Sequence, residues 1–240
     1  MLVRLSFVVA FCLTTSITTA QVYVGVTGDF GNQVSLSPQP SKSLIKSPIT
    51  PSFSIALWKQ EQIRNDWYMQ YGLAVGLLGY RMKIRDNTDT LYLPTNDVTY
   101  STFWDYITPY LSGQLVFGRS VLIGERNVFF FLGGGATIYG NSESSVSSSV
   151  STPSGGWADD YDYVLYGKEK NLKAFIETSI QTKINNRITM ALLYQYHFKS
   201  ALTGTYNFYN MKDPPSGTLS IAQRAISIVF MVRLGKTTRY

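Results

Sequence analysis

The feature that most constrains this chain is a two-residue alternation of apolar and polar or small side chains, repeated in separate segments. From Trp67, one face reads Trp67, Met69, Tyr71, Leu73, Val75 and Leu77, and the other Tyr68, Gln70, Gly72, Ala74, Gly76 and Leu78. Successive side chains of a strand point to opposite faces, so the period marks a strand with an apolar wall and a small or hydrogen-bonding wall. The pattern recurs at Phe53–Leu57, Leu172–Ile180, Ile188–Tyr196 and Ile226–Leu234, and more weakly at Gln21–Phe30, Tyr100–Leu115 and Val128–Tyr139. Eight strands are expected.

The segments between them vary in an ordered way. Long, polar connections at Gly31–Pro51, Arg81–Thr99, Gly140–Lys170 and Ser200–Thr218 alternate with short ones at Glu61–Asp66 and Lys183–Arg187 and a middling one at Phe117–Asn127. Short turns on one side and long loops on the other are the habit of outer-membrane barrels. Aromatics at 14% beside only 15% charged residues fit the same class. After Ala20 no apolar run approaches a helical span of roughly 20 residues. The expected fold is all-β, an eight-stranded antiparallel up-and-down transmembrane β-barrel at residues 21–240.

Residues 1–20 read as a secretory signal peptide. Arg4 supplies the positive start, Leu5–Leu13 a short apolar core, and Thr18–Ala20 the small residues for cleavage. Its Cys12 is the chain's one cysteine, so the mature part has neither disulfide nor thiolate metal site. Without Arg4, 20 Lys+Arg stand against 15 Asp+Glu, net +5. These charges are scattered, which argues against nucleic-acid binding.

Eight strands leave a lumen just wide enough to be filled by side chains. On the alternation, Gln70, Thr108, Lys173, Glu177, Gln181, Gln195, His197 and Arg233 point inward, and buried charges there need neutralising partners. Glu177 paired with Arg233 or Lys173 is the first expectation. A packed interior argues against an open pore. The run Ser142–Gly156 is too polar to bury itself and is expected to be mobile. Trp157–Tyr163 is an acidic aromatic patch that suits a cation, a partner, or packing against its own strand ends, though EF-hand spacing is absent. Gly133–Gly135 lies within a strand pattern and reads as close packing or a kink. No cofactor-binding motif is found.

Barrels of this size include lipid A deacylases and palmitoyl transferases. The deacylases carry His and Ser two apart on one lipid-facing strand. Here His197 and Ser200 are three apart, on opposite faces of a regular strand, which disfavours a Ser-His-acid site. The order Tyr106–Leu111, turn, Val128–Ala136, together with Tyr194–Tyr196 and the closing strand Ile226–Leu234, resembles the PorT-like outer-membrane β-barrel family of the Bacteroidota. The resemblance implies an outer-membrane location, contact with lipid and, for one member, a place in type IX secretion and gliding. Three functions follow as expectations: a non-enzymatic scaffold binding partners through extracellular loops, an accessory of an export or surface-assembly complex with outer-membrane or periplasmic partners, or a lipid-modifying enzyme.

Overall fold

The computed structural model describes residues 21–38, 45–46, 50–85, 100–140, 143–151, 156–166, 171–209, 213–222 and 224–234. The expected signal peptide, at 1–20, lies outside them. Eight long strands form the barrel: β1 (Gln21–Ser37), β3 (Thr50–Arg64), β4 (Trp67–Arg85), β5 (Tyr100–Ile123), β6 (Arg126–Tyr139), β9 (Asn171–Lys183), β10 (Ile188–His197) and β13 (Arg224–Leu234). Each pairs antiparallel with the next, and β13 pairs back onto β1 from Val22↔Leu234 to Phe30↔Ile226. The ring is closed.

The ladder also sets the tilt. Following cross-strand partners once around from Glu61 through Phe117, Thr178 and Phe30 returns to β3 at Pro51, ten residues displaced. Ten residues of rise against eight strand spacings incline the strands by about 40° to the axis.

Alternation decides what each wall meets. Ile55, Val75, Leu132, Leu192 and Phe230 all point outward and are more than half exposed, while Ala56, Trp58, Phe131 and Val229 point inward and are buried. An outer wall this apolar would aggregate in water and is stable in hydrocarbon. Thr178, the polar member of the outward row on β9, donates its hydroxyl to the Phe131 carbonyl at 3.2 Å, so its polarity is spent inside the sheet. The molecule is a transmembrane β-barrel.

One rim carries three tight connections, at Asn65–Asp66, Gly124–Glu125 and 184–187. Gly124 has φ +62°, a left-handed conformation that residues with a side chain rarely adopt, and Asn65 at φ +46° is one of the few other residue types that tolerate it. The connection expected to be middling, Phe117–Asn127, is this two-residue turn: β5 and β6 simply run further, pairing to Ile123↔Arg126. Gln21 and Leu234 end at the same rim, the periplasmic side by the rule that short turns lie there. The irregularity expected near Pro109 falls between Leu78 and Tyr80, opposite Thr108 and Asp105. Pro109, with no N–H to give, uses its carbonyl to accept from Gly140 N–H at 2.8 Å.

The opposite rim departs from expectation. The segments read as long loops contain strands: β7 (Glu143–Ser151), β8 (Trp157–Tyr166), β11 (Leu202–Phe208) and β12 (Ser216–Ala222), with short β2 (Ile45–Lys46) on β4. They form a second sheet, ordered β1, β12, β11, β8, β7, built outward from the last turn of β1. The Ser-rich run is therefore paired strand over Glu143–Ser151, because backbone hydrogen bonds to β8 need no apolar side chains. Residues 142 and 152–155 of it lie outside the described part.

Depth in the wall sets the penalty for a charge. Leu192→Arg, far from both rims, is expected to destabilise by about 2–4 kcal/mol and Ile63→Arg, next to the short turn, by about 0–1 kcal/mol. Urea unfolding from lipid vesicles measures both, and equal losses would remove the lipid-facing assignment.

Candidate functional site

The lumen holds two buried carboxylates, Asp29 and Glu177, at 3% and 2% exposure. Alternation puts Asp29 inward on β1 and Glu177 inward on β9. Neither forms an ion pair among the described residues. Ser227 Oγ donates to Asp29 Oδ1 at 2.5 Å and Tyr110 Oη to Oδ2 at 3.2 Å. Gln195 Nε2 donates to Glu177 Oε2 at 2.9 Å and Gln114 Nε2 to Oε1 at 3.3 Å. Each oxygen of the two carboxylates thus accepts one hydrogen bond from a neutral donor, which offsets part of the cost of burial.

This corrects the expected pairing of Glu177 with Arg233 or Lys173. Both cations lie nearer the ends of their strands and stay partly exposed, Lys173 toward the outer mouth and Arg233 at the periplasmic rim. A long cationic side chain near a rim reaches water at less cost than it reaches the middle of a packed lumen. The other residues of the expected inward set lie in separate groups. Gln181 Nε2 donates to Gln70 Oε1 at 2.7 Å, and Gln70 Nε2 lies 3.9 Å from Met231 Sδ. Thr108 is buried at the start of the bulge. His197 is buried with its ring 4.9 Å from that of Phe175, and neither ring nitrogen has a hydrogen-bond partner among the described residues. Beside it, Ser200 lies past the end of β10, so the two do not form a nucleophile-base pair along one strand.

Packing leaves little room. A cavity of ≈ 20 Å³ lies beside Asp29, Tyr110, Gln114 and Gln195, and one of ≈ 10 Å³ beside Gln70, Gln181 and Met231. The larger takes a water molecule or so. Phe129 and Phe131 fill the lower lumen, with Tyr68 edge-on to Phe129 at 5.1 Å. Gly135 permits the upper filling: a Cβ there would meet Phe175 Cζ at 2.6 Å and Gly113 O at 2.0 Å, so the glycine run is close packing, as expected. Among the described residues no group of three or more His, Cys, Asp or Glu could hold a metal.

Above the lumen, the second sheet and the outer part of β4 enclose an apolar core of their own. Leu78, Tyr80, Met82 and Ile84 line one side. Tyr161, Tyr163, Leu165, Leu202, Tyr206, Phe208, Leu219 and Ile221 line the other, with Tyr110 and Tyr139 at the barrel mouth. The barrel is thus roofed by a packed cap. The acidic aromatic patch resolves by alternation, its tyrosines 161 and 163 buried in this core and Asp159 exposed. The signal was present in the sequence: Tyr161, Tyr163, Leu165 and Leu202, Gly204, Tyr206, Phe208 each run at period two, in segments kept short and set among polar residues such as Asp162, Thr203, Thr205 and Asn207.

The cap's other face is mostly polar and rich in hydroxyls, with Asn207, Asp162 and Glu143 also on it. Ladder partners cross it as Ser37, Thr218, Thr205, Val164, Ser145 in one row and Ser35, Ser220, Thr203 in the next. Ser37, Thr218, Thr205, Ser145, Ser35 and Thr203 are exposed.

No protein-family model matches the sequence, and no curated protein matches it. Among solved structures, it is similar to the outer membrane protein OprG of Pseudomonas aeruginosa at 9% identity, covering 91% of this chain and 97% of that one, with a TM-score of 0.44. It is also similar to Ail, the attachment invasion locus protein of Yersinia pestis, solved with the heparin analogue sucrose octasulfate (10% identity, 90% and 100% covered, TM-score 0.37). Neisserial surface protein A is a third (12%, 90% and 100%, 0.34). The likeness is one of fold. The chain's own ladder and apolar outer wall make it a small eight-stranded transmembrane β-barrel.

Hydrogen-bonding capacity, and not an ion pair, holds Glu177. Glu177→Gln is expected to keep stability within about 1 kcal/mol, whereas Glu177→Leu strands the Gln114 and Gln195 donors and costs about 1–3 kcal/mol. A double-mutant cycle of Glu177→Gln with Arg233→Gln, read by vesicle unfolding, should give no coupling. A coupling above 1 kcal/mol would restore the ion pair.

Proposed function

We propose that the protein is a non-enzymatic outer-membrane scaffold whose extracellular cap presents a partner-binding surface. The observation that carries this reading is the cap's two-sidedness. One face buries the apolar core that fixes the sheet, and the other offers rows of exposed hydroxyls on paired strands, flanked by the carboxylates of Asp162 and Glu143. A surface held by a core loses little conformational freedom on binding, which favours recognition over the mobile loops that a polar sequence suggests. Hydroxyls both donate and accept, so the face suits a partner rich in hydrogen-bonding groups.

The filled lumen supports scaffold over channel, and the placement of His197 against Phe175 supports scaffold over lipid-modifying enzyme. Kinship with the PorT-like family belongs to the same reading. It is supported by the segments Tyr106–Leu111 and Val128–Ala136 lying on the adjacent strands β5 and β6. On the export-accessory alternative, contacts would gather at the periplasmic rim.

Site-specific photo-crosslinking in the native membrane tests this. A photoreactive residue at Thr203, Thr205 or Ser147 should give partner adducts, and one at luminal Gln195 none. Adducts confined to Arg187 or Glu125 at the periplasmic turns would favour the accessory reading. The purified protein in a planar bilayer should give no conductance steps, and steady conductance would rule out the closed-lumen scaffold.

A further inference from the structure

The periplasmic rim carries a notch that neither the lumen nor the cap accounts for. The β3–β4 turn stops at Asn65–Asp66, while β5 follows β4 only as far as Arg119 and then runs on to Ile123. Ser120 N–H donates to the Asp66 carbonyl at 2.8 Å. Beyond that bond, the β4-facing edge of β5 has no strand partner among the described residues. Hydrogen-bonding direction alternates along a strand, so the N–H of Leu122 faces the same side as that of Ser120, into the gap. The resulting cavity, of ≈ 340 Å³, is lined by Asp66, Arg119, Ser120, Val121, Leu122 and Asn127.

Its charges are paired loosely. Arg119 Nη2 lies 3.7 Å from Asp66 Oδ2, beyond good hydrogen-bonding distance, and each side chain is 59% exposed. Both groups therefore keep capacity for a ligand. The notch lies at the edge of the apolar wall. Arg119 is the ladder partner of Trp67, which is 53% exposed on the outer wall, and Phe117 and Leu115 continue that wall upward. Tryptophan at such an edge marks the head-group level of the bilayer. Val121 and Leu122, 43% and 68% exposed, supply apolar surface at the same place.

We propose that this notch binds the head group of an amine-bearing zwitterionic phospholipid, phosphatidylethanolamine, from the periplasmic leaflet. The phosphate takes the Arg119 guanidinium and the Leu122 N–H. The ammonium takes the Asp66 carboxylate. A guanidinium matches phosphate oxygens as a fork, and the adjacent carboxylate makes the site complementary to a zwitterion and repellent to a head group of net negative charge. Phosphatidylglycerol would satisfy Arg119 alone and leave Asp66 facing an anion.

The probes are the two lipids themselves. The protein is placed in nanodiscs of equal phosphatidylethanolamine and phosphatidylglycerol and released into mild detergent, and native mass spectrometry counts the lipid still bound. The natural protein should retain the ethanolamine lipid roughly threefold over the glycerol lipid, the scale of one exposed charge contact. Asp66→Asn should erase that preference, and Arg119→Gln should reduce retention of both. Unboiled gel mobility checks that each variant is folded. Equal retention by the natural protein, preference for the glycerol lipid, or an ethanolamine preference that survives Asp66→Asn would overturn the proposal. If a variant fails to insert, the ratio for the natural protein alone decides.

Discussion

The structure depends on closure of the backbone ladder between its first and last strands. In hydrocarbon no water is available for an unpaired N–H or C=O, so a sheet with an edge cannot cross a membrane. Nine consecutive pairings, from Val22↔Leu234 to Phe30↔Ile226, remove the edge. Once the ring is closed, eight strands and a ten-residue displacement determine the interior width, and every inward side chain must be accommodated in what remains.

That accommodation explains the character of the lumen. Rings and amides fill it, glycines such as Gly135 give way to Phe175, and two carboxylates are held by neutral donors at mid-depth. Close packing among the described lumen residues supplies stiffness. The surfaces proposed for binding lie at the ends, where the closed ladder gives way to strands of unequal length. At the outer end, excess strand folds over as the cap. At the periplasmic end, the extra length of β5 beyond the β3–β4 turn opens the notch beside Arg119.

Extending a barrel strand past the membrane changes the rule for its side chains. Within the wall, apolar residues face out, and a mixture of rings, amides and small residues faces in. On β4, Val75 and Leu77 are exposed outward, and after the bulge Tyr80, Met82 and Ile84 turn apolar side chains inward to the cap core. The inversion has a solvent cause: the outside is lipid below and water above. A single irregularity near Pro109 lies at the changeover.

Alternation in the sequence determined the eight barrel strands, which residues meet lipid and which face the lumen, because strand geometry is local and lipid accepts only one face. Gln70, Glu177, Gln181, Gln195 and His197 could be assigned inward from that period alone. The partners they take there were decided by the tertiary structure. Glu177 lies beside Gln195 across the β9–β10 ladder and near Gln114 from β5, 63 residues earlier in the chain. The cap was likewise hidden, since Ser, Asp and Gly in β7, β8 and β11 dilute the apolar signal that only pairing across distant segments completes. Which strands lie side by side, and how far each outruns its neighbour, is set by ring closure and register, and those are properties of the whole fold.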